Sequence, residues 1–218
     1  MEKKETMLGR IIPILNQVPT EMLGTLLDLL NRLVGEKGQE TCKNLKHLLR
    51  GEFEIKLPSL IRWLGTTTTS ATTEKFVAKE KFRTDSKEVK FYGFGDNFTN
   101  WFLSGDSKIE DSLDEQSFRY GNLIKNSVDG PILEELGDEA KVKTALSGVF
   151  ELLKRQANGE EGDLLTNGYA NIFYIKNTSG VLCIVRMYWC GVGWRVNVNS
   201  VEDPGDWHAG DRVFSRAA

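Results

Sequence analysis

The stretch "RMYWCGVGWRVNVNS", residues 186–200, decides how the C-terminal part of this chain folds. After Gly193, apolar and polar side chains alternate without a break. The apolar set is Trp194, Val196 and Val198, and the polar set is Arg195, Asn197 and Asn199. Strict alternation with a period of two indicates a β-strand with one buried face. The tryptophan set therefore faces a core, and the polar set faces water.

Two turns determine how this strand pairs with those before it. In "KNTSGVL" a three-residue loop places Gly180 in the left-handed position of a type I turn with a bulge. In "WCGVGW" a four-residue loop pairs Trp189 with Trp194. The count along the first hairpin also places Tyr169 opposite Trp189. The sequence thus predicts a three-stranded antiparallel meander, since a slip of one residue would bury an arginine.

The polar side of the meander is the candidate binding surface. Arg186 and Tyr188 join it from the middle strand in the predicted register. Arginine, tyrosine and asparagine are frequent in recognition sites, although they are equally normal on a solvated sheet. The candidate binding residues are Arg186, Tyr188, Arg195, Asn197 and Asn199, together with Trp207 from the closing loop.

A second candidate site lies in "GDWHAGDRVFSR", residues 205–216. His208 stands between Asp206 and Asp211, and pairing with a carboxylate raises the pKa of a histidine or fixes its tautomer. This arrangement favours, as one alternative, a hydrolase-like enzyme centred on His208. No nucleophile adjoins the histidine in the sequence, so a histidine in an ordinary turn is the other interpretation.

The N-terminal part has the pattern of two amphipathic helices. Leucines fall on one stripe of "PTEMLGTLLDLLNRLVGEKG", and "QETCKNLKHLLRGE" follows after a short joint, which predicts a helical hairpin. Leu26, Leu30 and Leu33 are expected to be buried on the body or in a subunit contact. A protein partner or self-association through helices in residues 20–50 is therefore the predicted interaction.

The same helices suggest an alternative function, a nucleic-acid-binding regulator. The second helix carries Lys43, Lys46, His47 and Arg50, which a helix-turn-helix would place against DNA. However, no set of base-reading side chains stands out. The net charge of −3 also gives no electrostatic attraction to nucleic acid, which is disfavoured as a partner.

The threonine-rich stretch "TTTTSATTEK", residues 66–75, predicts a linker. It has no apolar periodicity and its side chains compete for backbone hydrogen bonds; an exposed edge strand is the alternative.

The predicted organisation is a helical hairpin region at 1–65, the linker at 66–75, and a body at 76–218 in which one long helix, capped by Asp138, packs on the sheet. The fold class is α+β, with an N-terminal helical hairpin followed by an antiparallel sheet.

Composition argues against several classes of protein. No stretch approaches the roughly 18 apolar residues of a membrane span, and the start lacks the apolar core of a signal peptide, so a cytoplasmic location is expected. Cys42, Cys183 and Cys190 are odd in number and show no C-x-x-C spacing. With only two histidines and no phosphate-binding loop, neither a metal nor a cofactor is expected.

Two segments carry a resemblance to other proteins: "LLTNGYANIFYI" at 164–175 and the final "RVFSR". They resemble a group of uncharacterised bacterial proteins of similar size that share a glycine-tyrosine-aromatic strand and this ending. The resemblance covers much of the chain, and because no activity is known for the group it implies no site residue. A non-enzymatic binding or interaction protein is the function that the sequence favours.

Overall fold

The computed structural model describes residues 9, 12–14, 16–50, 59–137, 139–203 and 205–217. The chain divides into two compact units, with the division between Leu57 and Pro58. The described part of the first unit contains helical residues at 12–14, followed by two helices, α1 (Thr20–Val34) and α2 (Gly38–Leu49). In the described part of the chain, no helix combines the length and the apolar composition that crossing a membrane requires.

In the first unit, α1 and α2 are joined by residues 35–37 and contact each other. Leu26 and Leu33 are half-buried, and Leu30 is 48% exposed, so the burial expected for these leucines is not reached within the single chain. The exposed apolar side chains of the two helices are Met22, Leu23, Leu27, Leu30, Val34, Leu48 and Leu49.

The second unit is built on a seven-stranded mixed sheet with the order β1-β5-β9-β6-β7-β8-β3. Its strands are β1 (Ile61–Thr69), β3 (Phe91–Phe94), β5 (Gln116–Leu123), β6 (Asn171–Lys176), β7 (Leu182–Trp189), β8 (Trp194–Ser200) and β9 (Arg212–Arg216). A separate two-stranded sheet pairs β2 (Phe76–Val77) with β4 (Ile109–Glu110). The predicted α+β class is confirmed. The sheet is not purely antiparallel. β3 pairs in parallel with β8, and β9 pairs in parallel with β6, and each pair is separated by a long stretch of chain.

The predicted meander of β6, β7 and β8 is confirmed with its register. Trp189 lies opposite Trp194, Met187 opposite Val196 and Val185 opposite Val198. Gly180 adopts the predicted left-handed conformation, with φ of 79°. The pairing predicted for Tyr169 is wrong, because β6 begins only at Asn171. The backbone N–H just before β6, that of Ala170, instead donates to the Asp211 carboxylate.

Helices cover both faces of the sheet. On the first face lie α3 (Ala78–Lys81), α4 (Asp96–Phe98) with the π-helical turn Thr99–Leu103, and α7 (Leu146–Arg155). The core on this face contains Phe82, Phe98, Phe150, Phe173 and Trp194. On the second face, α5 (Asp129–Leu136), α6 (Glu139–Val142) and Trp207 cover Ile172, Tyr174, Ile184 and Val213. The second core therefore covers part of the polar side of the meander. The rest of that side, toward β8 and β3, is open.

The threonine-rich stretch begins inside a strand. Thr66–Thr69 belong to β1, the edge strand of the sheet, and pair with residues 116–119 of β5, whereas residues 70–75 lie outside the strand. A bulge between Trp63 and Gly65 shifts the register, after which Thr67 and Thr69 are buried. The guanidinium of Arg155 donates to the Thr68 carbonyl, which protects this edge. The two compact units divide after residue 57, and the boundary predicted at residue 65 falls inside β1.

The single long helix predicted after Asp138, itself outside the described residues, is divided into α6 and α7. Between them the chain pairs with β6, since the Thr144 N–H donates to the Tyr174 carbonyl at 2.9 Å. The Glu110 carboxylate accepts the N–H groups of Leu146 and Ser147, at 3.0 and 2.8 Å. A carboxylate in this position caps the N-terminus of α7 and favours its separate start.

Candidate functional site

The two candidate sites predicted from the sequence meet at one cleft. This cleft, of about 280 Å³, opens between the meander and the loop 205–211. It is lined by Gly168, Ala170, Arg186, Tyr188, Asp206, Trp207, His208 and Asp211. Arg186 and Tyr188 of the predicted binding surface therefore share a site with the residues around His208, although the sequence alone gave no reason to join them.

Asp211 positions the loop and does not pair with the imidazole of His208. Its buried carboxylate accepts the backbone N–H of Ala170 and the backbone N–H of His208, each at 2.8 Å. The predicted Asp–His side-chain pair is therefore not formed by Asp211. Asp206 and His208 are both exposed at the edge of the cleft.

Trp207 belongs to the second core, although it also lines the cleft. The side chain is buried and its Nε1–H donates to Oδ1 of Asp129 at 2.9 Å. Its backbone forms a bridge with Ser127 in both directions. For Trp207, one of the candidate binding residues, the indole N–H is therefore already used inside the protein, while the side chain still lines the cleft.

Asp129 is a fully buried carboxylate that sequence reasoning missed. Its Oδ1 also accepts a hydrogen bond from the Tyr174 hydroxyl at 2.8 Å, and Oδ2 has no partner of good geometry among the described residues. Burial raises the pKa of Asp129. The hydrogen bonds from Tyr174 and Trp207, and the nearby backbone N–H groups of Gly205 and Asp129 itself, lower this pKa, but the effect of burial is larger. Burial and the neighbouring carboxylate raise the pKa of Tyr174, which stays a hydrogen-bond donor.

Four side chains alternate across the open part of the second face, and we call them the Arg–Tyr row: Arg186, Tyr188, Arg195 and Tyr92. Arg186 and Tyr188 lie two residues apart on β7, and Arg195 lies opposite Tyr188 on β8. Tyr92 follows on β3, whose next residue, Gly93, is opposite Arg195. The Arg186 Cζ is 5.8 Å from the Tyr188 ring centroid, and the Arg195 Cζ is 6.0 Å from that of Tyr92.

Neither arginine of the row has an anionic partner among the described residues. Within these ranges, neither guanidinium makes a hydrogen bond or an ion pair, and both Nε atoms are buried and unpaired. The two arginines are diagonal neighbours on the sheet face, whose Cα atoms lie roughly 7–8 Å apart, so their like charges repel each other. Unpaired guanidinium donors held by a rigid sheet are ready to bind an acceptor group.

Asn197 and Asn199 lie on the same face of β8 as Arg195, as the alternation predicted. Asn197 lies opposite Arg186 and Asn199 opposite Ile184, and both are half-buried. Tyr92 is the member that the sequence reasoning missed. Alternation in "KFYGFG" indicates that Phe91 and Tyr92 point to opposite sides, but no local signal reveals the parallel pairing of β3 with β8.

A larger cleft, of about 640 Å³, lies at the other end of β5, β6 and β9. Its lining includes the cations Lys108, Lys143, Lys176 and Arg216 and the acids Glu110, Asp114 and Glu115. Because both signs of charge are present and Glu110 already caps α7, this cleft indicates no particular ligand.

Comparison of the chain with protein-family models, with curated proteins and with solved structures found no match. Among the residues that the structure describes, no three of the histidine, cysteine, aspartate and glutamate side chains form a group that could hold a metal ion. We therefore infer the function from the chemistry of the Arg–Tyr row and of the cleft beside it.

Proposed function

We propose that the protein is a non-enzymatic binding protein that takes an anionic ligand on the Arg–Tyr row and in the adjoining cleft. The observation that supports this function is the pair of arginines, Arg186 and Arg195, on one open face of the sheet, whose Nε atoms have no acceptor among the described residues. Two uncompensated cations cost stability, and such groups are commonly retained because a ligand supplies the missing charge.

The residues around the arginines define the chemistry of the ligand. A guanidinium binds carboxylate and phosphate groups through two parallel hydrogen bonds. Asn197 and Asn199 add amide donors and acceptors at the border of the row. The exposed carboxylate of Asp206 lines the cleft, so a second anionic group is disfavoured there. The ligand's negative charge therefore lies between the two arginines, with its less polar part against the tyrosines.

We expect Arg186→Gln and Arg195→Gln each to weaken binding of pyrophosphate and citrate by at least about tenfold. Hydrogen bonds to charged groups contribute roughly 1.5–3 kcal/mol, and about 1.4 kcal/mol corresponds to tenfold in affinity. Isothermal titration calorimetry at low salt measures the affinities.

The matched control is Arg62→Gln, since Arg62 is an exposed arginine on β1 at the opposite edge of the sheet. It should bind like the parent, and thermal unfolding should show that all variants are folded. Equal losses in all three variants would indicate nonspecific attraction between charges and would contradict the proposal.

The two alternatives gain no support from the contacts. A hydrolase centred on His208 would need a partner for the imidazole, and Asp211 is committed to backbone N–H groups. The lining of the cleft, as far as it is described, includes no serine or cysteine as a nucleophile. A nucleic-acid-binding regulator that uses the basic residues of α2 stays a prediction.

We also propose that α1 and α2 bind the same helices of a second copy of this chain. Their exposed side chains include Leu27 and Leu30, and an uncovered apolar surface of this kind favours association. In a symmetric dimer, the apolar stripe of one copy packs against the same stripe of the other copy, so both are buried. We expect the full chain to sediment as a dimer and Leu30→Glu to sediment as a monomer.

The control for this experiment is Asn31→Glu, which adds the same charge at an exposed neighbouring position of α1. It should leave the dimer intact. Identical sedimentation of the parent and of both variants would contradict self-association through these helices.

A further inference from the structure

We infer that the ligand of the Arg–Tyr row is a single-stranded nucleic acid, an inference that rests on the anion-binding function proposed above. The order of the four side chains supports it. Arg186, Tyr188, Arg195 and Tyr92 alternate between cation and aromatic ring across β7, β8 and β3. A single strand offers the same two kinds of group in turn, because each nucleotide has one phosphate in the backbone and one base attached to its sugar.

The spacing of the row suits such a strand. Neighbouring strands of a sheet lie about 4.8 Å apart, and diagonal neighbours on one face about 7–8 Å apart. The row contains two successive pairs of arginine and tyrosine, each with its guanidinium about 6 Å from the ring. It therefore offers two positions for a phosphate next to a base, whereas a single nucleotide would use only one.

The tyrosines can act as stacking platforms. Tyr92 is 56% exposed on the short edge strand β3, and Tyr188 is half-buried beside the cleft. Stacking of bases on aromatic rings tolerates any sequence because every base has a flat face. Asn197 and Asn199, next to the row, can bond to the edges of the stacked bases. Exposed aromatic side chains on a sheet are a common means of binding single-stranded RNA.

The shape of the site favours a strand over a compact ligand. The face is open along β8 and β3, and it is bounded only at β7, where the loop 205–211 forms the wall of the cleft. A chain of nucleotides can follow the open face while its last base enters the cleft near His208. The net charge of −3 belongs to the whole chain and does not cancel the two unpaired cations on this face.

The test is fluorescence anisotropy with labelled oligothymidine and oligouridine of about eight nucleotides, within the usual site sizes of such proteins. Competitors are an abasic strand of the same length, thymidine monophosphate and pyrophosphate. We expect the abasic strand to bind at least about fivefold more weakly than the oligonucleotide, since each stacked base contributes about 5- to 150-fold.

Variants test the two halves of the row separately. We expect Tyr92→Ala to weaken oligonucleotide binding by about 5- to 150-fold and to leave pyrophosphate binding unchanged. Tyr92→Phe keeps the ring and is the matched control, which should bind like the parent.

The salt dependence of binding tests the arginines. With two phosphates neutralised, the logarithm of the affinity should fall with the logarithm of the salt concentration at a slope of about −1.4, and Arg195→Gln should reduce the size of this slope by about 0.7.

The outcomes separate the inference from the function on which it rests. If the abasic strand or thymidine monophosphate binds as tightly as the oligonucleotide, the nucleic-acid inference is overturned while anion binding stands. If neither pyrophosphate nor any strand binds, both are overturned. A salt slope that Arg186→Gln and Arg195→Gln leave unchanged would place the strand elsewhere on the protein, which also overturns the inference.

Discussion

Trp194→Ala lowers the free energy of unfolding by about 3–5 kcal/mol, whereas Arg195→Ala changes it by no more than about 0.5 kcal/mol. The two residues are neighbours on β8 and point to opposite faces. Trp194 is fully buried in the first core, in an edge-to-face contact with Trp189 at 5.7 Å. Its Nε1–H donates to the Gln156 carbonyl at 2.8 Å, so truncation removes a hydrogen bond as well as a large apolar side chain. Urea unfolding of both variants measures the difference.

Arg195 is expected to contribute little because its guanidinium has no acceptor to lose in the part of the chain that the structure describes. It is half-buried, its Nε is unpaired, and its described contact is with the exposed ring of Tyr92. Trp194→Phe serves as an intermediate control, since it keeps most of the apolar volume and loses only the hydrogen bond to Gln156. Similar losses for Trp194→Ala and Arg195→Ala would mean that the faces of β8 are reversed.

The meander could be predicted from the sequence because everything that determines it is local. Alternation in β8 indicates which face is buried, and short turns on either side of β7 fix the register. The second core could have been inferred from the run "IFYI" in β6. A continuous apolar run is typical of a strand that is buried on both faces, as Ile172, Phe173, Tyr174 and Ile175 are.

The edges of the sheet could not be predicted in the same way. β1 pairs with β5, and β3 pairs with β8, across long separations in the chain, and no turn specifies either pairing. The threonines of β1 appear polar in the sequence, yet the bulge at residues 63–65 turns Thr67 and Thr69 into the first core. A β-branched side chain fits a strand whether its surroundings are wet or buried.

The candidate site could likewise be predicted from the sequence only in part. Alternation placed Arg186, Tyr188 and Arg195 on one face, and the structure agrees. It could not place Tyr92 beside Arg195, nor bring His208 to the cleft next to Arg186, because those contacts depend on how distant segments pack. The role of Asp129 is likewise invisible in "VDGPILEEL", where it has the pattern of an ordinary residue at the start of a helix.

Asp129→Ala should lower the free energy of unfolding by roughly 2–6 kcal/mol, because it leaves the Tyr174 hydroxyl and the Trp207 N–H without an acceptor inside the second core. Each buried donor that loses its partner costs about 1–3 kcal/mol. Both donors bond to the same oxygen, at 2.8 and 2.9 Å. Asp129→Asn keeps an oxygen in that position and should cost less than Asp129→Ala in urea unfolding at neutral pH.

The pH dependence distinguishes the charge of Asp129 from its hydrogen bonds. Burial raises the pKa of this carboxyl in the folded protein, so the folded state binds its proton more tightly than the unfolded chain does. The contribution of Asp129 to stability is therefore complete below the unfolded pKa of about 3.9, and it is lost as the pH rises through the higher folded pKa. Asp129→Asn has no such proton, so its stability relative to the parent should improve as the pH rises above the unfolded pKa and through the folded one. A difference between parent and Asp129→Asn that stays constant as the pH rises would show that the buried carboxyl keeps an ordinary pKa. A difference that grows in favour of the parent would show that its pKa is lowered, and either result would contradict the raised pKa.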